Sequence, residues 1–427
     1  MVVLGPVLLL QVFVGLVLRG NSAQPSTTSL GSIYPVYWNV NGWSGFVPEG
    51  SPQLPVVLSK YGFQAPNLTE TGGGCTIAGC GGCNHSFDCD PYPCPKKYWR
   101  GCWQGDMPQI HMDGKEMKLV NGGVPQAGNL SRHLALLKEG IPRWIPDEQW
   151  SGNAVLDFEA WDPVWTENTA SSCGYHGACY QQLSIKLVKE THPGWDAAAV
   201  AKEAERQFND AALEWMVQTL RVCRAIRPKA KWGYYGYFYS PQYPRALWEA
   251  MGALYPQIYL YSDGPTNSST AHAARRQGIG ATVAQAVKVS RQLQADGLPR
   301  PPVLPFAWQR YPSGAKAMLD TADLASELLG PYNAGADGLI LWGDDPENAQ
   351  YWDFVANVSG PMLRSFEEKI EACAVANCSG HGRCLMVPLP PLQAKEGDTV
   401  IPSGVTKVCE CDLPWTGPSC AKRQHKR

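Results

Sequence analysis

Residues 154–165 read AVLDFEAWDPVW and set two carboxylates, Asp157 and Glu159, one residue apart among side chains that belong inside a protein. Val155, Leu156, Phe158, Trp161 and Trp165 are apolar and β-prone, so the segment reads as an interior strand ending near Pro163. On a strand, residues i and i+2 share a face, about 6.6 Å apart at about 3.3 Å per residue. Both acids therefore point the same way, in surroundings where a charge is costly.

Similar runs lie on either side: SIYPVYWNV (32–40), PVVLSKYGF (55–63), KWGYYGYFY (231–239), LYPQIYLY (254–261), PVLPFAWQ (302–309) and DGLILWGD (337–344). Several are apolar on both faces, as strands are when helices cover one side and a packed interior the other. Helical spacing runs between them. Val200, Ala204, Phe208, Ala212, Trp215, Leu220 and Cys223 mark a helix over 196–227, a second covers 282–295, and TADLASELLG should end one at Gly330. So many strand–helix alternations predict an α/β fold, a parallel barrel of the (β/α) TIM type rather than an open sheet.

The chain has 427 residues and a formal net charge of −2, which gives no sign of a nucleic-acid partner. Residues 1–23 are apolar to Leu18 and end in a small-residue site at Ala23, the pattern of a secretory signal peptide whose cleavage would leave no membrane span. A membrane anchor is the competing reading, but the apolar run is short for a span. The end, AKRQHKR, is basic and polar, without a lipid-anchor signal. Fifteen cysteines in a secreted chain point to disulfides, and sequons at Asn67, Asn84, Asn129, Asn267, Asn357 and Asn377 fit a glycosylated surface. The expected location is extracellular or lysosomal.

Six cysteines crowd into 75–102, an insertion in the barrel domain (24–370). Zinc with His85 as an extra ligand is the alternative there, but irregular spacing in an oxidising compartment favours disulfides, with the pairing open. Cys173 and Cys179 of CGYHGAC are expected to pair, which leaves Cys223 as a free thiol on the apolar stripe of the long helix. From Cys373, the segments CSGHGRC and CECDLPWTGPSC look like an epidermal-growth-factor-like (EGF-like) module over 371–421. That likeness implies pairs 373–384, 378–409 and 411–420. Such a small unit needs its staples because it has little core.

In an α/β barrel the C-terminal ends of the strands line the active site. Aromatics gather at those ends: Trp38, Tyr235 to Tyr239, Tyr259, Tyr261, Trp308 and Trp342. Sugar rings stack their C–H faces on aromatic side chains and need hydrogen bonds at their edges. A carboxylate in an apolar, like-charged setting keeps its proton longer, as a general acid must. Taken alone, a D-x-E pair is most often solvated or salt-bridged and strand aromatics are most often core; the combination is what points to a polysaccharide-cleaving cleft.

The combination also resembles a known family. LDFEAWDPVW, RPKAKWGYYGY, ALYPQIYL, PVLPFAWQ, GADGLILWG and CSGHGRC follow the order seen in animal hyaluronidases, with VYWNV and VNGGVPQAGNLSRHL extending the similarity over nearly the whole chain. The resemblance implies a distorted (β/α) TIM-like barrel that hydrolyses β-1,4 N-acetylhexosaminide bonds in hyaluronan, or alternatively chondroitin, as a monomer and without metal or organic cofactor. By that likeness Glu159 is the proton donor and Asp157 shares its proton. The attacking group is the substrate's own N-acetyl oxygen, an exception to the two-carboxylate rule. Tyr235 and Tyr259 would hold the acetamido group and Trp342 would wall the subsite; Trp308 and Tyr239 join the aromatic lining.

Some residues depart from the family pattern. WNVNGWSGF and NAQYWDFV lack an expected cysteine pair, GYYGYFYSPQYP has no cysteine, Tyr239 stands where an aspartate is usual, and Asp162 stands where an arginine is usual. These leave the Glu159 machinery intact and put the groove's preference in question. A carbohydrate-binding protein with little turnover is the reading from another class.

Overall fold

The computed structural model describes residues 34–40, 68–70, 107–113, 116–171, 173, 176–236, 239–262, 265, 268–313, 317–343, 349–387 and 406–424. The leader at 1–23, the strand expected at 55–63, the cysteine cluster at 75–102 and the sequons Asn67, Asn84 and Asn267 lie outside the described residues.

In chain order the elements begin with β1 (Val36–Val40), β2 (Leu68–Glu70), the hairpin β3 (Gln109–Asp113) and β4 (Glu116–Val120), α1 (Leu130–Trp144) and β5 (Asn153–Leu156). Then come α2 (Cys179–Thr191), α3 (Ala197–Ile226), β6 (Lys231–Tyr234), α4 (Arg245–Ala250), α5 (Ser269–Ala295), β7 (Phe306–Trp308), α6 (Thr321–Ala334) and β8 (Leu339–Gly343). The chain continues through α7 (Ala349–Phe354), α8 (Gly360–Cys378), β9 (Gly382–Val387) and β10 (Thr406–Cys411).

β2, β5 and β6 pair in parallel, and so do β1, β8 and β7. Residues 254–257 join the two sheets through single parallel bridges, Tyr235 to Tyr255 on one side, Leu254 to Val303 and Gln257 to Phe306 on the other. The expected strand over 254–261 is reduced to these bridges because Pro256 has no N–H to donate; its carbonyl still accepts from Phe306 N–H at 2.8 Å. With β1 lying beside β2, the strands form a distorted parallel (β/α) barrel. Val155, Tyr235, Tyr255, Leu304, Phe306 and Ile340 pack together inside it. A larger core, including Phe208, Ala212, Trp215 and Leu220 of α3, joins the helices to the outer face. Burial on both faces is why these strands read as continuous apolar runs.

Three expected boundaries move. The strand under AVLDFEAWDPVW stops at Leu156, so Asp157 and Glu159 lie just past its end and not within it. The helix expected at 282–295 begins at Ser269, capped by Ser268, whose side chain accepts from Ala271 N–H at 3.3 Å. Gly278 and Gly280 lower the helix propensity of its first half, which contacts with α6 sustain, including the Arg275–Asp323 ion pair at 2.6 Å. Gly330 does not end its helix, which runs on to Ala334. A Cβ at Gly330 would lie 2.8 Å from Cγ2 of Ile279 on α5, so the glycine permits close helix packing. The stop comes at Gly335, in the left-handed region at φ 98°.

At the C-terminal end, disulfides join Cys373 to Cys384, Cys378 to Cys409 and Cys411 to Cys420. The first cysteine of each of the first two bridges sits on α8, and the other ends on the antiparallel β9–β10 pair. Arg383 lies over the Tyr332 ring, and Cys384 N–H donates to the Tyr332 hydroxyl at 3.2 Å, so the stapled hairpin is held against α6. Cys223 is a buried free thiol. Cys173 and Cys179 correct the expectation: they stand as free thiols rather than a bridge, with the Cys173 thiol hydrogen-bonded beside Cys179 at the start of α2. Among the remaining sequons, Asn129 and Asn357 are exposed. Asn377 is half-buried and commits its amide nitrogen to Cys373 O at 3.1 Å. No helix among the described residues is long and apolar enough to cross a membrane.

Candidate active site

A cleft of about 710 Å³ opens where the parallel strands end. Val155 near the end of β5 lines it, followed by Asp157, Phe158 and Glu159, which lie past the last strand residue, Leu156. Aromatic residues on either side of Glu159 anchor this stretch. Phe158 packs edge-on against Trp161 at 4.6 Å, and Trp161 is fully buried with its indole N–H on Pro108 O at 2.7 Å. The acids are thus carried by a segment pinned from behind. Burial pushes the Glu159 carboxyl up to about 7, which keeps its proton available in mildly acidic solution.

One wall is aromatic. Tyr259 stacks on Trp342 with ring centres 5.8 Å apart, and Trp308 meets Trp342 edge-on at 4.7 Å. Tyr235 lies 6.2 Å from Tyr259 and edge-on to Phe306 at 5.2 Å. Burial, then Tyr259, Glu159 and Asp157, push the Tyr235 phenol far above its ordinary value, so it stays protonated. Gln257 donates from Nε2 to the Tyr235 oxygen, and the Tyr235 phenol is also hydrogen-bonded to Tyr259. Tyr261, exposed at the rim, donates to Gln257 Oε1 at 3.3 Å.

The facing side is polar. Asp162 is buried, and its two oxygens accept from Val164 N–H at 2.8 Å and Tyr243 O–H at 2.7 Å. His176 Nδ1 stands 3.8 Å from Asp162, and Glu167 lines the same wall. His176 has φ 52°, unusual for a residue with a side chain, and is fixed by its N–H on Ala160 O and its carbonyl on Ala170 N–H, both 3.0 Å.

The structure brings together Asp157, Glu159, Tyr235, Tyr259, Trp308 and Trp342. It leaves out Tyr239, which corrects the expectation. That ring is buried and its hydroxyl accepts from Tyr255 N–H at 2.8 Å, so it supports the barrel wall beneath the cleft. Sequence reasoning missed Gln257, although it sits two residues before Tyr259 on the same alternation. It also missed Tyr243 and His176, which come from loops, and Glu167, which ends a single 3-10 turn, where no period signals direction.

A cleft with the Glu159 carboxyl raised to about 7, a second acid beside it, two phenols and a stacked aromatic wall suits acid-assisted cleavage of a sugar chain. The comparisons agree. A family model described as hyaluronidase matches residues 104–246 and 242–389. The hyaluronidase of Apis mellifera is 33% identical over 269 residues, 57% of this chain and 67% of that protein. Hyaluronidase-1 of Homo sapiens is 34% identical over 295 residues, 62% of this chain and 64% of that one, so the match spans somewhat under two thirds of the human relative. The crystal structure of bee venom hyaluronidase in complex with a hyaluronic acid tetramer superposes with a TM-score of 0.61 at 28% identity, over 77% of this chain and 98% of that one. The chain belongs to the hyaluronidase family of glycoside hydrolases.

Proposed function

We propose that the chain is an endo-acting hydrolase of β-1,4 N-acetylhexosaminide bonds in hyaluronan, with Glu159 as general acid and the substrate's N-acetyl group as nucleophile. The observation that carries this reading is Glu159 itself, a carboxyl raised to about 7 in a cleft walled by stacked aromatics. A hexosamine ring stacked on Trp342 brings its glycosidic oxygen toward Glu159, which protonates it as the bond breaks. The acetamido oxygen attacks the anomeric carbon, so the configuration is retained after water opens the cyclic intermediate. Tyr235 and Tyr259 hydrogen-bond the acetamido group and hold it for attack. Asp157 shares the Glu159 proton and takes up the charge that develops on the acetamido nitrogen.

Hyaluronan is favoured because the solved relative holds a hyaluronic acid tetramer. Chondroitin carries the same linkage type and acetamido group, so the same machinery could act on it. No step draws on a second subunit, and the working form is a monomer. The three disulfides support an oxidising setting, outside the cell or in the lysosome.

Incubating the purified protein with each polysaccharide and sizing the products tests this. Hyaluronan should shorten progressively, faster than chondroitin, and the rate should fall as pH rises through about 7, where Glu159 gives up its proton. Chains that bind without shortening at any pH would favour the carbohydrate-binding reading.

A further inference from the structure

A buried primary amide lines the cleft beside the two phenols. Gln257 is 5% exposed, and a parallel bridge to Phe306 fixes its backbone, with Ile258 N–H on Phe306 O at 2.9 Å. Its side chain is engaged at both ends. Oε1 accepts from the Tyr261 hydroxyl at 3.3 Å, and Nε2 donates to the Tyr235 oxygen. Tyr235 is hydrogen-bonded in turn to Tyr259. One chain of hydrogen bonds thus runs from the exposed rim at Tyr261 to the aromatic wall at Tyr259.

The chain has a direction. An amide nitrogen only donates and an amide oxygen only accepts, whereas a phenol carries a single proton. A Tyr235 oxygen that accepts from Gln257 therefore sends its own proton the other way, to the side where Tyr259 stands. Bonds set in series in this way also polarise one another. We infer that Gln257 is a positioning residue for the acetamido group: by donating to the Tyr235 oxygen it turns the Tyr235 proton toward the side of the cleft where Tyr235 and Tyr259 receive that group. The inference rests on the reading of those two phenols as the acetamido holders. Gln257 acts through Tyr235, so its loss should slow the chemical step, while ground-state binding, spread over the aromatic wall, stays nearly as it was.

Glutamate at this position has nearly the same shape but, as a carboxylate, only accepts. Both flanking phenols would donate to it, and the Tyr235 proton would point away from the substrate. Once protonated, the same group has an O–H and can donate to Tyr235 again. Burial raises a carboxyl's pKa, so this recovery should come in mildly acidic solution. The titratable groups around the position are Tyr235, Tyr259 and Tyr261, with Asp157 and Glu159 in the same cleft. Negative charge on the two acids pushes the introduced carboxyl further in the same direction.

The test measures kcat and KM on hyaluronan for the full chain, wild type and Gln257→Glu, at about pH 7.5 and about pH 4.5. At the higher pH, kcat of the variant should fall about 20- to 200-fold below wild type with KM within about twofold. At the lower pH the deficit should shrink to about fivefold or less. Gln257→Met, unbranched and easily buried, covers the case in which the introduced acid unfolds the chain. Its kcat should fall about 5- to 50-fold, by the same factor at both pH values. A side chain that only fills space predicts little loss in Gln257→Glu, or a loss that ignores pH. Turnover of Gln257→Glu within about twofold of wild type at the higher pH, a deficit unchanged by pH, or a Gln257→Met chain with kcat near wild type would overturn the inference. A wild type that shortens no chain removes the hydrolase reading and the inference with it, whereas an active wild type beside an unimpaired variant removes the inference alone.

Discussion

Glu159→Gln should lower the rate of hyaluronan cleavage by about 10²- to 10⁴-fold while the polysaccharide still binds. Glutamine keeps the shape of the side chain and a hydrogen-bond donor, but it has no acid proton to deliver. The leaving group is an alkoxide of a sugar, which departs poorly unless protonated. The setting of Glu159 is consistent with this assignment, since burial holds its carboxyl at about 7. Trp161 and Phe158 pin the chain on either side of it, so the substitution should leave the cleft's framework in place. Binding measured by calorimetry alongside reducing-end release separates loss of chemistry from loss of fold. A Glu159→Gln chain with turnover near wild type would remove Glu159 from the mechanism.

Tyr259→Phe is expected to have the next largest effect, a fall in kcat of about 10- to 1000-fold with KM nearly unchanged. The ring's packing should survive, because its contacts with Trp342 and Trp308 are contacts of the aromatic face and edge, and the substitution takes away only its hydroxyl's hydrogen bond with Tyr235. Only the hydroxyl is removed. If that hydroxyl supports the acetamido group as charge develops on it, the loss is felt in the transition state and little in the ground state. Normal turnover would show that Tyr259 serves packing alone, and Tyr235, with its oxygen already bonded by Gln257, would carry the role by itself.

Much of this site is legible in the sequence because barrel strands impose a direction. Alternation along a strand tells which side chains share a face, so Asp157 with Glu159 could be read as a pair even though the ladder ends at Leu156. The same rule reaches Gln257 from Tyr259. It fails at Tyr239, which lies beyond β6, where the chain has turned and the ring folds back under the wall. It is silent on Tyr243, placed by a tertiary hydrogen bond to Asp162, on His176, placed by its φ of 52°, and on Glu167, which ends a short 3-10 helix. Gly330 shows the complementary limit: a glycine near the end of an apolar helix has the composition of a cap, and only the approach of Ile279 reveals it as a packing position. The C-terminal module was readable because spaced cysteines carry their own signature, whereas Cys173 and Cys179, equally close in sequence, stand as thiols.

The central claim is that this cleft hydrolyses a hexosaminide bond with help from the substrate's own acetamido group. Its most direct test is the new reducing end formed from hyaluronan by the wild-type chain, identified by proton NMR in the first minutes of reaction. The account predicts an N-acetylhexosamine at that end, released first as the β anomer, because attack from within the substrate followed by water retains configuration. Initial release of the α anomer, a uronate at the new end, or no new ends between about pH 3 and about pH 8 would contradict it.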